Sequence, residues 1–335
     1  MILSSASLQT ANLAECVDWV VAEEYAAVLR GHPRIGKLWE YRRRAGGGFL
    51  SWYRFARTLW LEGYDEVYDL HGSLRTRTLR ILFALWNLKK KSDASVGSSE
   101  IKKKLIWKTA SKQRLRSWGF ILFKKLWPKR WLSRLQVEVF ARTVGGTGSE
   151  RPDLSHLLSA EFQVPEELLD GQYVCVMPGS NWPGKTWAAE KYLALIQEIG
   201  FFPVVMGTAA DPESRKLVNL LQTAELPHYS GVGKWTLPEV ASVLAGAVLT
   251  VGSDTGLALL SEAVGTDILV IYGPTAPGLG FEPWRSGSRT AGLDLWCRPC
   301  GKIGNRCYRM SRKHHCLRGL TANRVIEVFR KRWLT

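Results

Sequence analysis

Several things are scarce in this 335-residue sequence, and each scarcity removes a class of protein. No run of about 18 apolar residues occurs, which argues against a membrane-spanning helix. Six cysteines are too few for a disulfide scaffold. Met1 to Thr10 holds no basic residue and no long apolar run, unlike a secretory leader. The thiols are therefore expected to be reduced and the chain cytoplasmic. No fixed-period repeat marks a solenoid. With 46% hydrophobic and 23% charged residues, the chain is expected to fold, and its length suits two domains.

Carboxylates are nearly missing from two stretches. Residues 87–134 hold fifteen Lys/Arg against Asp93 and Glu100, a balance of +13. Residues 297–335 hold eleven against Glu327, a balance of +10. The formal charge is +16, so the rest of the chain carries −7. The first stretch contains Lys89-Lys90-Lys91, Lys102-Lys103-Lys104, Lys124-Lys125 and Lys129-Arg130, interleaved with Trp107, Trp118, Trp127, Trp131 and the run Phe120 to Phe123. Cations mixed with tryptophan and leucine suit an anionic membrane surface, where each cation contributes on the order of 1 kcal/mol. A solvated basic helix whose tryptophans pack inward fits the same pattern.

Short apolar runs alternate with amphipathic stretches, which implies α/β architecture with parallel sheets. Strands are expected at Val17 to Val21, Lys37 to Trp39, Glu66 to Leu70, Tyr173 to Met177, Phe202 to Met206, Val248 to Gly252 and Ile268 to Tyr272. Helices are expected at Glu23 to Arg30, Leu50 to Leu61, Leu74 to Leu88, Trp187 to Ile199, Pro212 to Leu221, Leu237 to Leu244 and Leu257 to Val264. Linker composition at Val144 to Ser149 and Arg151-Pro152 separates two doubly wound domains, 1–150 and 151–320, followed by a helix in 321–335.

Three loops of the second domain carry chemistry. Ser253-Asp254-Thr255-Gly256 places a helix start after a strand, where free N–H groups form an anion site. Asp254 itself suits capping or a ligand hydroxyl. Pro178-Gly179-Ser180-Asn181-Trp182-Pro183-Gly184-Lys185-Thr186 contains the P-loop pattern from Gly179 through Thr186. Pro183 lacks the N–H such a loop needs and Trp182 adds bulk, so Ser180 is read instead as a donor and Lys185 as a point charge toward phosphate. Tyr272-Gly273-Pro274-Thr275-Ala276-Pro277 forms a third small-residue turn at the same sheet edge. Together the loops suit a diphosphate ligand.

Cys297, Cys300, Cys307 and Cys316 gather four thiols within 20 residues, beside His314 and His315. Zinc or an iron–sulfur cluster is one reading, and reduced structural thiols the other. Cys16 and Cys175 read as core residues of apolar strands.

Pro178-Gly179-Ser180 with Lys185 and Trp187, Gly207 to Glu213, Ser253 to Gly256 and Tyr272 to Thr275 resemble, in order and spacing, glycosyltransferase family 9. Its members include the ADP-heptose:lipopolysaccharide heptosyltransferases. Tyr64-Asp65 and Asp69 to Thr76 are similar to the family's acceptor-side segment, with His71 where Gln is usual. The resemblance implies a GT-B fold, two Rossmann-like domains facing across a cleft, with 321–335 as the closing helix. It implies an ADP-sugar donor in the second domain, held by Ser180, Lys185, Asp211, Glu213, Asp254, Thr255, Gly256 and Thr275. Asp211 and Glu213 are the candidates for the ribose. It implies a lipid A–core acceptor in the first domain, positioned by Asp69, His71 and Arg75, at the cytoplasmic face of the inner membrane. The implied reaction is an inverting single displacement with no required metal or cofactor and no nucleic-acid partner.

Two departures bear on this. Met1 to Ser4 looks like the continuation of the family's first strand and Gly-Asp loop, so the family's candidate base would precede Met1 and no catalytic residue is assigned. Leu259 stands where members often have His near the donor phosphates, and leucine donates no hydrogen bond. An inactive member that binds lipopolysaccharide or nucleotide-sugar is the alternative reading. A nucleic-acid binder built on the basic tail is a third, although no RNP, KH or helix-turn-helix pattern supports it.

Overall fold

A computed structural model of the chain describes residues 1–11, 13–42, 48–93, 105–158, 162–168, 172–304 and 307–333. The chain divides into two compact units. The first comprises Met1, Ala6–Lys112 and Val137–Glu150; the second comprises Ile2–Ser5, Gln113–Gln136 and Arg151–Thr335. Lys102, Lys103 and Lys104 of the basic stretch lie outside the described residues.

In the first unit, β1 (Val17–Ala22) pairs in parallel with β2 (Ile35–Tyr41). After α1 (Gly48–Leu61) come β3 (Glu66–Asp69), α2 (Leu74–Asp93) and β4 (Ile106–Thr109), with β3 and β4 parallel. The sequence suggests one doubly wound sheet here. The structure has two separate two-stranded sheets instead, because β2 and β3 share no ladder among the described residues. Each helix still buries one face. Trp52, Phe55, Ala56 and Leu59 follow helical spacing on α1, as do Leu79, Leu82, Phe83 and Trp86 on α2, and the two stripes form the core. Its tryptophans find polar partners: Trp39 Nε1 donates to the Tyr64 hydroxyl (2.9 Å), Trp52 to Thr78 (3.1 Å) and Trp60 to Asn87 (2.8 Å). Trp107 also turns inward, edge-on to Phe83. Cys16 departs from its core assignment. It is exposed and precedes β1, where the chain has not yet entered the pleat.

The second unit takes up α3 (Arg114–Phe123), before α4 (Gln136–Thr143) returns to the first. The sequence reading kept 113–136 with the first domain. Here these residues are tied to the second through Ser133 N–H donating to Gly278 O (3.0 Å) and Gln136 N–H to Gly280 O (2.8 Å). Gly278 (φ 94°) and Gly280 (φ 91°) hold left-handed backbone conformations that favour glycine.

The remaining elements are β5 (Tyr173–Met177), α5 (Ala189–Ile199), β6 (Phe202–Val205), α6 (Pro212–Thr223), β7 (Tyr229–Ser230), α7 (Leu237–Gly246), β8 (Leu249–Ser253), α8 (Gly256–Ala263), β9 (Ile268–Ile271), β10 (Arg289–Ala291), α9 (His315–Arg318) and α10 (Ala322–Trp333). The six strands form one parallel sheet in the order β10-β9-β8-β5-β6-β7. Buried apolar side chains fill β5 and β9, and β8 is buried along its length, as expected for a sheet covered on both faces. Trp187, Tyr192 and Leu195 of the α5 region meet Val325, Ile326 and Phe329 of α10 in one core. Lys191 reaches from α5 to the carbonyls of Leu317, Arg318 and Leu320, which anchors the turn between α9 and α10.

Candidate functional site

Because all six strands of this sheet run the same way, the loops after β5, β6, β8 and β9 emerge at one edge. Open α/β sheets bind ligands at that carboxyl edge. Residues 178–186, 207–211, 254–256 and 272–277 therefore share one rim.

Asp254 is the hub of the rim. Its carboxylate accepts from Lys185 Nζ (2.7 Å) and from the Thr275 hydroxyl (3.0 Å), and Lys185 Nζ also donates to the Asp254 carbonyl (3.1 Å). Ser253, fully buried at the end of β8, donates to Lys185 O (2.8 Å) and so fixes the lysine backbone. Lys185 and Thr275 are both buried. Gly184 and Gly304 pack so closely that a Cβ on Gly184 would meet the Gly304 carbonyl, and one on Gly304 would meet Pro274.

Thr255 caps α8 with backbone only, and its side chain makes no capping bond. Gly256 opens the helix beside empty space. The first-turn N–H groups thus lie at the rim with the positive end of the helix dipole. Ser180 is half-buried, and its hydroxyl accepts from Trp182 N–H (3.2 Å). Leu259 lines a small cavity beside Asp254, Glu262, Tyr272 and Phe281.

The two ribose candidates are engaged locally. Asp211 caps α6 by accepting from Glu213 N–H (3.3 Å), and it also bonds the Ser214 hydroxyl. It packs against Gly179, where any Cβ would overlap it, and beside Gly207, where a Cβ would overlap the Ser214 hydroxyl. Glu213 accepts from Ala189 N–H (2.9 Å) at the start of α5. The acceptor-side residues sit in the first unit, around the turn from β3 into α2. Asp69 is buried and accepts from His71 N–H (3.0 Å) and Gly72 N–H (2.7 Å), while His71 and Arg75 are exposed.

Among the described residues no three His, Cys, Asp or Glu side chains stand together so as to hold an ion. All six cysteines are free thiols. A cation already occupies the neighbourhood: the Arg298 guanidinium interacts with Cys316, Cys300 and Cys297 and donates to Thr275 O (2.8 Å) and to Leu293 O. Burial holds Arg298 below the usual arginine value. Burial, and then the neighbouring thiols, push Cys300 up to about 11.

Sequence reasoning missed Ser253 and Arg298 as positioning groups. The signal for Arg298 was its place inside the Cys297–Cys300 pair. It also missed Glu262, buried with its carboxylate accepting from Trp284 N–H (3.1 Å), Arg285 N–H (2.9 Å) and the Ser288 hydroxyl (2.7 Å). Burial raises its pKa despite those donors.

Known proteins are similar to this chain. The profile of glycosyltransferase family 9 (heptosyltransferase) matches residues 136–310. Lipopolysaccharide heptosyltransferase 1 of Pseudomonas aeruginosa is 26% identical over 303 residues, covering 85% of this chain and 77% of the relative. The enzyme of the same name from Escherichia coli is 24% identical over 272 residues, covering 78% and 79%. Among solved structures, the E. coli ADP-heptose lipopolysaccharide heptosyltransferase II superposes with a TM-score of 0.66 at 19% identity, covering 100% of this chain and 95% of that one. E. coli heptosyltransferase WaaC with ADP gives 0.64 at 19%, covering 99% and 95%. These likenesses establish the GT-B fold. The matched profile spans over half of the sequence, including the rim around Asp254, and the chain belongs to glycosyltransferase family 9.

Proposed function

We propose that the chain transfers heptose, or a related sugar, from an ADP-sugar to the inner core of lipopolysaccharide. One observation carries this reading: Lys185 and Thr275 converge on Asp254 at the carboxyl edge of a parallel sheet, beside the start of α8, where the N-cap Thr255 makes no side-chain capping bond. The names of the similar heptosyltransferases support the donor and acceptor classes.

In this reading the second unit holds the donor and the first unit the acceptor. Lys185 exchanges Asp254 for a phosphate oxygen when the donor enters. Ser180 and the α8 N–H groups take the remaining phosphate oxygens. An acceptor hydroxyl attacks the anomeric carbon with inversion, the bond from that carbon to the phosphate oxygen breaks, and the hydroxyl proton passes to a general base. The ADP leaving group departs with its charge met by the Lys185 ammonium and the helix start. Asp69 shapes the turn that presents His71 and Arg75 to the acceptor. The acceptor carries acyl chains, so the chain works at the cytoplasmic face of the inner membrane, against an anionic surface.

The test is turnover. The chain, an ADP-heptose and a heptose-deficient lipid A–core acceptor are incubated, and the glycolipid is weighed by mass spectrometry. A gain of one heptose, lost in Lys185→Met, supports the reading. Donor binding by calorimetry without any product would instead identify a nucleotide-sugar-binding member. Neither heat nor product would overturn both.

A further inference from the structure

We propose that the outward face of residues 113–136, with the adjoining residues 296–304 and 307–313, docks the chain on a bilayer containing anionic lipid. This rests on the membrane reading above and assigns it a surface.

Residues 113–136 hold seven Lys/Arg and no Asp or Glu. On α3, Leu115, Trp118 and Leu122 recur at i, i+3 and i+7, so they form one stripe. The stripe faces solvent: Leu115 is 88% exposed, Trp118 66% and Leu122 72%, and Leu126 beyond the helix is 86% exposed. The polar and small residues Ser117 and Gly119 are the buried ones. The helix is therefore inverted relative to an ordinary surface helix.

This orientation is fixed from the inside. Ser117 and Ser133 share a buried hydroxyl hydrogen bond (3.0 Å), and Arg116 donates to Leu132 O (3.0 Å). The Trp127 ring lies where a Cβ on Gly119 would be, stacked on Phe123 and edge-on to Trp131. Rotating α3 to hide its leucines would break the contacts made by Arg116, Ser117, Gly119 and Phe123.

Residues 296–304 and 307–313 continue the face. Lys124 Nζ donates to Pro299 O (2.8 Å), and Lys125 pairs with Asp294 (2.8 Å). These stretches expose Trp296, Tyr308 and Met310 beside Arg309, Arg312 and Lys313, with no Asp or Glu between 296 and 313. Exposed tryptophans suit the headgroup level of a bilayer. Trp118, Trp131 and Trp296 are exposed here, and no described tryptophan of the first unit is exposed. Nucleic acid would satisfy the cations but offer no phase for Leu115, Leu122 and Leu126. A bilayer with anionic headgroups satisfies both.

The test uses the full chain and sedimentation with vesicles of phosphatidylcholine, with or without phosphatidylglycerol. Native protein is expected to bind the anionic vesicles, less so as salt rises. Trp118→Ser/Leu122→Ser/Leu126→Ser is expected to lose at least about tenfold in affinity, the worth of one buried apolar side chain. Lys129→Gln/Arg130→Gln is expected to lose roughly 25-fold on anionic vesicles, about fivefold per cation. Circular dichroism reports that both remain folded. The rival apolar stripe on α2 is tested by Ile81→Ser/Leu85→Ser/Leu88→Ser, which is expected to bind as the native chain does. If that variant loses binding while the α3 variant keeps it, this surface assignment is overturned and the membrane reading stands. If native protein binds neither vesicle, both fall. If it binds neither but forms a dimer that the α3 variant dissociates, the face is an interface between copies, which also overturns the assignment.

Discussion

The Lys185–Asp254 pair gives the sharpest expectation. Its side chains are only 11% and 18% exposed, so screening by water is limited. Removing one partner of a buried ion pair costs about 3–5 kcal/mol, because the other charge is left uncompensated. Asp254 keeps the Thr275 hydroxyl and some solvent, so Lys185→Met is expected at or just below the bottom of that range, about 2–3 kcal/mol. Asp254→Asn keeps a weaker acceptor for Lys185 and is expected to cost about 1–2 kcal/mol. The double variant should cost less than the sum, with a coupling of roughly 1–3 kcal/mol. Two units make a single unfolding free energy ill-defined, so hydrogen exchange of peptides covering 173–186 and 249–256 is the suitable assay. Calorimetry with ADP adds a second readout. Losing a charge-assisted hydrogen bond of about 1.5–3 kcal/mol should weaken ADP binding by roughly 10- to 150-fold in Lys185→Met. Native exchange rates together with native ADP affinity in that variant would refute the reasoning.

Other expectations follow from single contacts. Gly119→Ala should strain the Trp127 seat and cost about 1–3 kcal/mol, seen as faster tryptic cleavage near Arg114. Phe329→Ala empties a fully buried site beside Phe201 and should cost about 3–5 kcal/mol, seen as a lower melting temperature of the second unit. Cys300 titrates at about 11 in the fold, above its unfolded value near 9, so its thiolate is disfavoured by folding. Its contribution to stability is whole below pH 9 and declines as pH rises toward 11. Cys300→Ser should therefore flatten the alkaline loss of stability, and iodoacetamide should label native Cys300 slowly at neutral pH.

Much of the second unit is legible from short apolar runs. Tyr173 to Met177, Leu249 to Ser253 and Ile268 to Ile271 are buried along their whole length, so periodicity and composition agree. Asp211 before Pro212 likewise announces α6. The failures share a cause, contacts distant in sequence. Ile106–Thr109 is too short to signal a strand and depends on pairing with Glu66–Asp69. Residues 113–136 read as first-domain because nothing local reveals the bonds to Gly278 and Gly280. The thiol spacing near Cys297 leaves a metal and reduced structural thiols both open, and the guanidinium that sits among the thiols shows itself only in three dimensions. At the rim, the residue types were legible, but the ammonium's internal partner was not.

The split of the first unit into two ribbons has a consequence for how the molecule breathes. Among the described residues neither ribbon has a third strand, so its outer amides find no further rung. The second unit shares its rungs among six strands, so opening one amide there disturbs its neighbours on both sides. Warming should therefore loosen the first unit first, while the six-stranded sheet stays closed to deuterium.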